Sequence, residues 1–99
     1  MTRIGYTRTA IADIKTARAY YRDINEGLGD YFRRSLLADI ARLRVTAGVH
    51  RKAHRHYHRA LCRDFPYGIF YTLDKGEVVI WAVIDLRCDP EWIQKHIGC

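Results

Sequence analysis

Cysteine is scarce in this 99-residue chain: Cys62, Cys88 and Cys99 form an odd set with no CxxC pair. That argues against a disulfide framework and fits a reducing compartment, with Cys62 and Cys88 read as small apolar packing residues and Cys99 as an exposed terminal one. No apolar run approaches the ~20 residues of a membrane span. The start, MTRIGYTRTA, has no long apolar block before a small-residue cleavage site, so no secretory signal is expected and the cytoplasm is the expected location. There is no Pro/Gly/Ser linker, repeat or low-complexity segment, so residues 1–99 are expected to form one domain. Acids are also in deficit: 11 Asp and Glu stand against 17 Lys and Arg, a formal net charge of +6. A balance of this kind suits an acidic partner, either nucleic acid or an acidic protein surface.

What is present falls into a legible order. Arg3–Thr7 is a short candidate strand. From Ala10 the apolar residues Ala10, Ile14, Ala17, Tyr21 and Ile24 recur at helical spacing, with Thr9 expected as cap and Asp13 in the first turn. Gly27 and Gly29 are expected to end this helix. A second helix is predicted over Asp30–Thr46, with a stripe of Phe32, Leu36, Ile40 and Leu43, an Asp30–Arg34 pair, and Gly48 as its end. The period then changes to two. GIFYTL (68–73) and EVVIWAVI (77–84) flank a tight turn at DKGE, which predicts a hairpin whose second strand is central in the sheet. Asp89 as cap and Pro90 at the first position predict a short C-terminal helix. The predicted fold is α+β: an N-terminal strand, an antiparallel helical hairpin packed on a small antiparallel sheet of three to four strands, and a short C-terminal helix.

Between the second helix and the hairpin lies HRKAHRHYHR (50–59), four histidines and four positive charges without an acid. Drawn as a strand from His54 to Arg63, it places His54, His56, His58, Ala60 and Cys62 on one face. Arg55, Tyr57, Arg59, Leu61 and Arg63 then share the other. Same-face neighbours lie ~6–7 Å apart, workable for two metal ligands and awkward for three. No carboxylate stands nearby to complete a shell, so no metal and no cofactor are expected. The histidines read first as a solvated strand face, and otherwise as a contact surface for a partner. Arg55, Arg59 and Arg63 would make a basic ladder able to meet phosphates or carboxylates. Three arginines on an inward face are costly, however, so the strand is expected to bulge or to start later. Tyr71, Trp81 and Trp92 could stack on bases, but in so small a domain they read as packing residues.

The stretch RALCRDFPYGIFYTLDKGEVVIWAVIDLRCDP resembles the RelE/ParE superfamily of toxins from type II toxin–antitoxin systems. It is closest to the ParE branch, through Arg59, Leu61, Phe65, Pro66, Tyr67, Ile69, Tyr71, Val78–Ile84, Arg87, Asp89 and Pro90. This resemblance implies a plasmid-stabilisation-type toxin with no catalytic activity of its own. It would inhibit DNA gyrase and form a hetero-oligomer with a cognate ParD-like antitoxin. The RelE branch implies a different activity, a ribosome-dependent endoribonuclease cutting mRNA. The candidate set for that chemistry is His58, Arg59, Arg63, Arg87 and His96, but GIFYTL lacks the arginine such nucleases carry there, Gly68 standing near its place. A third reading is a non-toxic regulatory binding module of the same fold. For partner or nucleic-acid binding the candidates are Arg55, Arg59, Arg63, Arg87 and Trp92.

Overall fold

Two helices cross the first half of the chain because their apolar stripes need a common cover. The computed structural model describes residues 2–48, 52–54 and 57–97. Helix α1 spans Arg8–Ile24 and buries Ala10, Ala17 and Tyr21; α2 spans Glu26–Thr46 and buries Phe32, Leu36, Ile40 and Leu43. Thr7, not Thr9, caps α1, its hydroxyl accepting from the Ala10 N–H at 3.1 Å. Gly27 and Gly29 lie inside α2 rather than breaking the helices apart. A single residue, Asn25, ends one helix and caps the next, its side chain accepting from the Gly27 N–H at 3.0 Å. The reason is packing: a Cβ on Gly29 would meet the Arg22 Cβ at 2.8 Å and the Arg18 carbonyl at 3.0 Å. Gly29 therefore lets the helices close on each other, and the hairpin overrides glycine's poor helix propensity. Asp30 likewise pairs across the hairpin with Arg18 at 2.6 Å, not with Arg34 along its own helix.

Among the described residues the sheet has five strands in the order β1-β5-β4-β3-β2: β1 Arg3–Tyr6, β2 Lys52–His54, β3 Tyr57–Leu61, β4 Tyr67–Asp74 and β5 Glu77–Asp85. It is mixed rather than purely antiparallel, because β1 runs parallel to β5, with Ile4 opposite Val78 and Tyr6 opposite Ile80. The β4–β5 turn is as predicted: Lys75 and Gly76 both take positive φ, 50° and 76°, which matches the twist of a two-residue hairpin. One extra residue, Trp81, interrupts the β4–β5 register, since Phe70 opposes Ala82 while Tyr71 opposes Ile80. The bulge keeps Ile80 and Val83 in the core under the helices and turns Ala82 and Ile84 to the other side. β5 is apolar on both faces, as its sequence predicts, and is flanked by β4 and, over its first half, by β1; β4 is the middle strand of the sheet.

The histidine-rich stretch is not one strand. His54 of β2 pairs with Tyr57 of β3, so the chain reverses between them. Arg55 and His56 lie outside the described residues, as do His50, Arg51 and Cys99.

The main core lies between the helices and one sheet face, with an aromatic group of Tyr21, Phe32, Phe65 and Tyr67 at its end. A smaller cluster of Tyr57, Phe70, Ala82, Ile84 and Ile97 lies on the opposite face. Ile97 belongs to α3, Pro90–Ile97, which starts where predicted, Asp89 accepting from the Glu91 N–H at 2.9 Å. Among the described residues no helix is long and apolar enough to cross a membrane.

Candidate functional site

β1 accompanies β5 only as far as Ile80, so the second half of β5 has a bare edge toward α1 and α3. Two side chains bond that edge. The Thr7 hydroxyl donates to the Trp81 carbonyl at 3.0 Å, and the Val83 N–H donates to the Asp13 carboxylate at 3.0 Å. The other oxygen of Asp13 meets Nε2 of His96 at 2.7 Å, tying α3 to α1. Asp13 is thus no first-turn helix residue but a half-buried clamp; burial pushes its carboxyl up, and the Val83 and His96 contacts work against that rise.

Beside this clamp opens a cleft of about 410 Å³, lined by Tyr20, Tyr67, Asp85, Arg87, Trp92 and His96 among others. Trp92 stacks on His96, ring centroids 4.6 Å apart and planes 12° from parallel. Arg87 forks onto Asp85, its Nε at 2.9 Å from one oxygen and an Nη at 2.7 Å from the other. This pairing holds the Asp85 carboxyl below the usual carboxylate range and raises Arg87 further above its own. Burial raises the Tyr67 hydroxyl as well, so at neutral pH it is a neutral wall of the cleft.

The other sequence candidates lie elsewhere. His58 is on the helix side of β3, stacked on the buried Tyr71 with centroids 5.1 Å apart. Arg59 is on the opposite face, exposed, its stem packed against Gly68. Arg63 lies beyond the end of β3, where its backbone N–H donates to the buried Asp39 carboxylate at 3.2 Å. The predicted ladder of Arg59 and Arg63 therefore does not form, and Arg55 falls outside the described residues. Arg87, Trp92 and His96 do come together. Among the described residues no group of three or more His, Cys, Asp or Glu is placed to hold a metal ion.

The family model of the ParE toxin of the parDE type II toxin–antitoxin system matches residues 4–89. The chain belongs to the ParE toxin family. A solved chain described as from the chromosomal ParDE system of P. aeruginosa superposes with a TM-score of 0.75 at 14% identity, over 86% of this chain and 96% of that one. At such identity the likeness is one of fold. No curated protein matches.

Within this ParE-family toxin, the strand positions of the motif are mostly structural. Tyr67, Ile69 and Tyr71 are core residues, and the Tyr71 hydroxyl accepts from the Gly48 N–H at 3.1 Å, fixing the end of α2. Trp81 is also a packing residue, edge-on to Tyr57 and donating to the Thr72 hydroxyl at 2.8 Å. Sequence reasoning missed Tyr20, Asp13 and Asp85 as cleft residues. The i, i+4 step from Trp92 to His96 was the one available signal, since it puts both on one face of α3.

Proposed function

We propose that this toxin acts by binding, with DNA gyrase as its target, and is neutralised by a cognate ParD-like antitoxin. The observation that carries the non-nuclease half of this reading is dispersal. Cleavage by a ribose hydroxyl needs a base, an acid and cations around one phosphate. His58 faces the helices, Arg59 lies on the other side of the sheet and Arg63 lies beyond β3, and none of the three lines the cleft that holds Arg87 and His96. Gly68 supplies no cation at that place, where a Cβ would already crowd the Leu86 tip at 3.0 Å and the Arg59 stem at 3.2 Å. Gyrase itself is proposed from family membership.

For the antitoxin, the outer side of the helical hairpin offers a groove of about 370 Å³. Tyr6, Ile11, Ile14 and Leu37 line it, with Lys15, Arg18 and Arg33 around them. An amphipathic helix with acidic flanks complements both its apolar floor and its rim.

The test is purified toxin in a gyrase supercoiling assay beside a reporter-mRNA cleavage assay in translating extract. Accumulating linear DNA with intact mRNA is the expected result. Cut mRNA with undisturbed gyrase would refute the reading, and silence in both would favour a regulatory module.

A further inference from the structure

The cleft between α1 and α3 contains chemistry that neither the core nor the antitoxin groove uses. Tyr20 is 52% and Trp92 49% exposed, and both line the same cavity. Large aromatic surface left open in a concave site is expensive in water and marks a binding site more often than a structural one. The polar groups around it are unevenly committed. All four carboxylate oxygens are engaged: those of Asp13 by Val83 and His96, those of Asp85 by Arg87. What the cleft still offers is donors and ring faces, namely the second Nη of Arg87, the Tyr20 hydroxyl, the Trp92 indole N–H and the two aromatic surfaces.

The complement of such a site is flat and rich in acceptors. We propose that this cleft binds a nucleotide, the base stacking on Trp92 and Tyr20 and the phosphate meeting Arg87. Trp92 is pre-oriented for that role because His96, itself held by Asp13, supports one of its faces. The base extends an existing stack and orders little that is not already fixed. The chain's net charge of +6 favours the approach of any phosphate. The same chemistry is carried by a free nucleotide and by an unpaired residue of a single strand. This proposal is independent of which enzyme the toxin inhibits.

The experiment is fluorescence anisotropy of the purified full chain with a labelled short oligothymidylate, and with unlabelled thymidine monophosphate as competitor. Base–aromatic stacking of ordinary strength predicts that Trp92→Ala and Tyr20→Ala each weaken binding by about 5- to 150-fold, while Trp92→Phe retains most of it. Arg87→Gln lowers the slope of log affinity against log salt by ~0.7, the share of one single-strand phosphate. Val45→Ser, at an 89% exposed position of α2, leaves binding unchanged. Tyr20→Ala tests the idea without touching α3, should the Trp92 variant unseat that helix. Effective competition by the monophosphate assigns the site to a free nucleotide, and binding of the strand alone assigns it to a single strand. Affinity unaltered in both aromatic variants would reduce the interaction to bulk charge and overturn the proposal. So would no binding at all, or capture in the cleft of an acidic phenylalanine-containing peptide in place of the nucleotide.

Discussion

Replacing Gly29 by alanine separates helix propensity from packing at one atom's cost. In an isolated helix the change stabilises by about 1 kcal/mol. Here the added methyl would lie 2.8 Å from the Arg22 Cβ, 3.0 Å from the Arg18 carbonyl oxygen and 3.1 Å from the Arg22 Cα. All three atoms belong to, or are fixed directly on, the backbone of α1, so no side chain can swing aside. The helices must move apart, loosening contacts around Tyr21 and Phe32. Overpacking of this kind costs about 1–3 kcal/mol, which leaves a net loss of up to about 2 kcal/mol after the propensity gain. For a domain of this size that lowers Tm by up to roughly 15 °C. Gly27→Ala is the matched control, since a Cβ there meets only the Asn25 side chain, at an ordinary 3.5 Å. Thermal unfolding followed by far-UV circular dichroism should show Gly29→Ala below the parent and Gly27→Ala at or slightly above it. A Gly29→Ala protein more stable than the parent by the full propensity gain would refute the close-approach account of the hairpin.

Burial, with Asp39 beside it, pushes the Cys62 thiol up to about 12. Its thiolate fraction at pH 8 is then about a thousand-fold below that of an ordinary thiol; higher intrinsic nucleophilicity regains part, leaving alkylation roughly 30- to 60-fold slow until the chain unfolds. Cys62 also has a stability signature. The unfolded thiol ionises near its model value of 9.0 while the folded one does not. Its contribution is therefore complete below pH 9 and is lost between about pH 9 and 12, with a slope below ~1.4 kcal/mol per unit because the thiol is partly open to solvent; urea midpoints at stepped pH in a Cys62→Ala comparison measure it. Phe32→Ala empties the centre of the aromatic group and should cost about 3–5 kcal/mol by chemical denaturation. Asp13→Ala leaves the Val83 N–H and His96 without their acceptor, a loss of about 1–3 kcal/mol. A double-mutant cycle with His96→Ala should give a clear coupling energy, and additivity would mean that α3 is not held through this pair.

Most of the architecture was legible because the apolar periods were strong. Phe32, Leu36, Ile40 and Leu43 face the core as their spacing predicts, and Asp74–Glu77 carries its turn chemistry openly. What misled was local reading of residues whose role is tertiary. Gly27 and Gly29 look like a break until α1 is laid against them, and Asp13 looks like a helix-dipole acid until the bare edge of β5 is brought beside it. The histidine run carries no periodicity that separates one strand from two, since alternation survives a reversal of the chain. For the site, Arg87, Trp92 and His96 could be named from motif and composition. That they share a cleft with Tyr20 and Asp85, while Arg59 and Arg63 do not, depends on the faces chosen by a sheet with a bulge at Trp81.

The pairing of β1 with β5 joins the first strand to the last, and the bonds Thr7–Trp81, Asp13–Val83 and Asp13–His96 span 74, 70 and 83 residues. As the chain leaves the ribosome, the helical hairpin emerges before β5 and has none of that strand's edge to settle on. Until Trp81 and Val83 have been made, the apolar stripes of α1 and α2 remain open to water or to whatever else is at hand. Such long-range closure is slow relative to local helix formation. Each newly made molecule therefore passes through an interval in which its amino-terminal half is sticky and its cleft does not yet exist. Assembly is a last-step event: the cleft comes into being only when α1 and α3 are brought together beside β5.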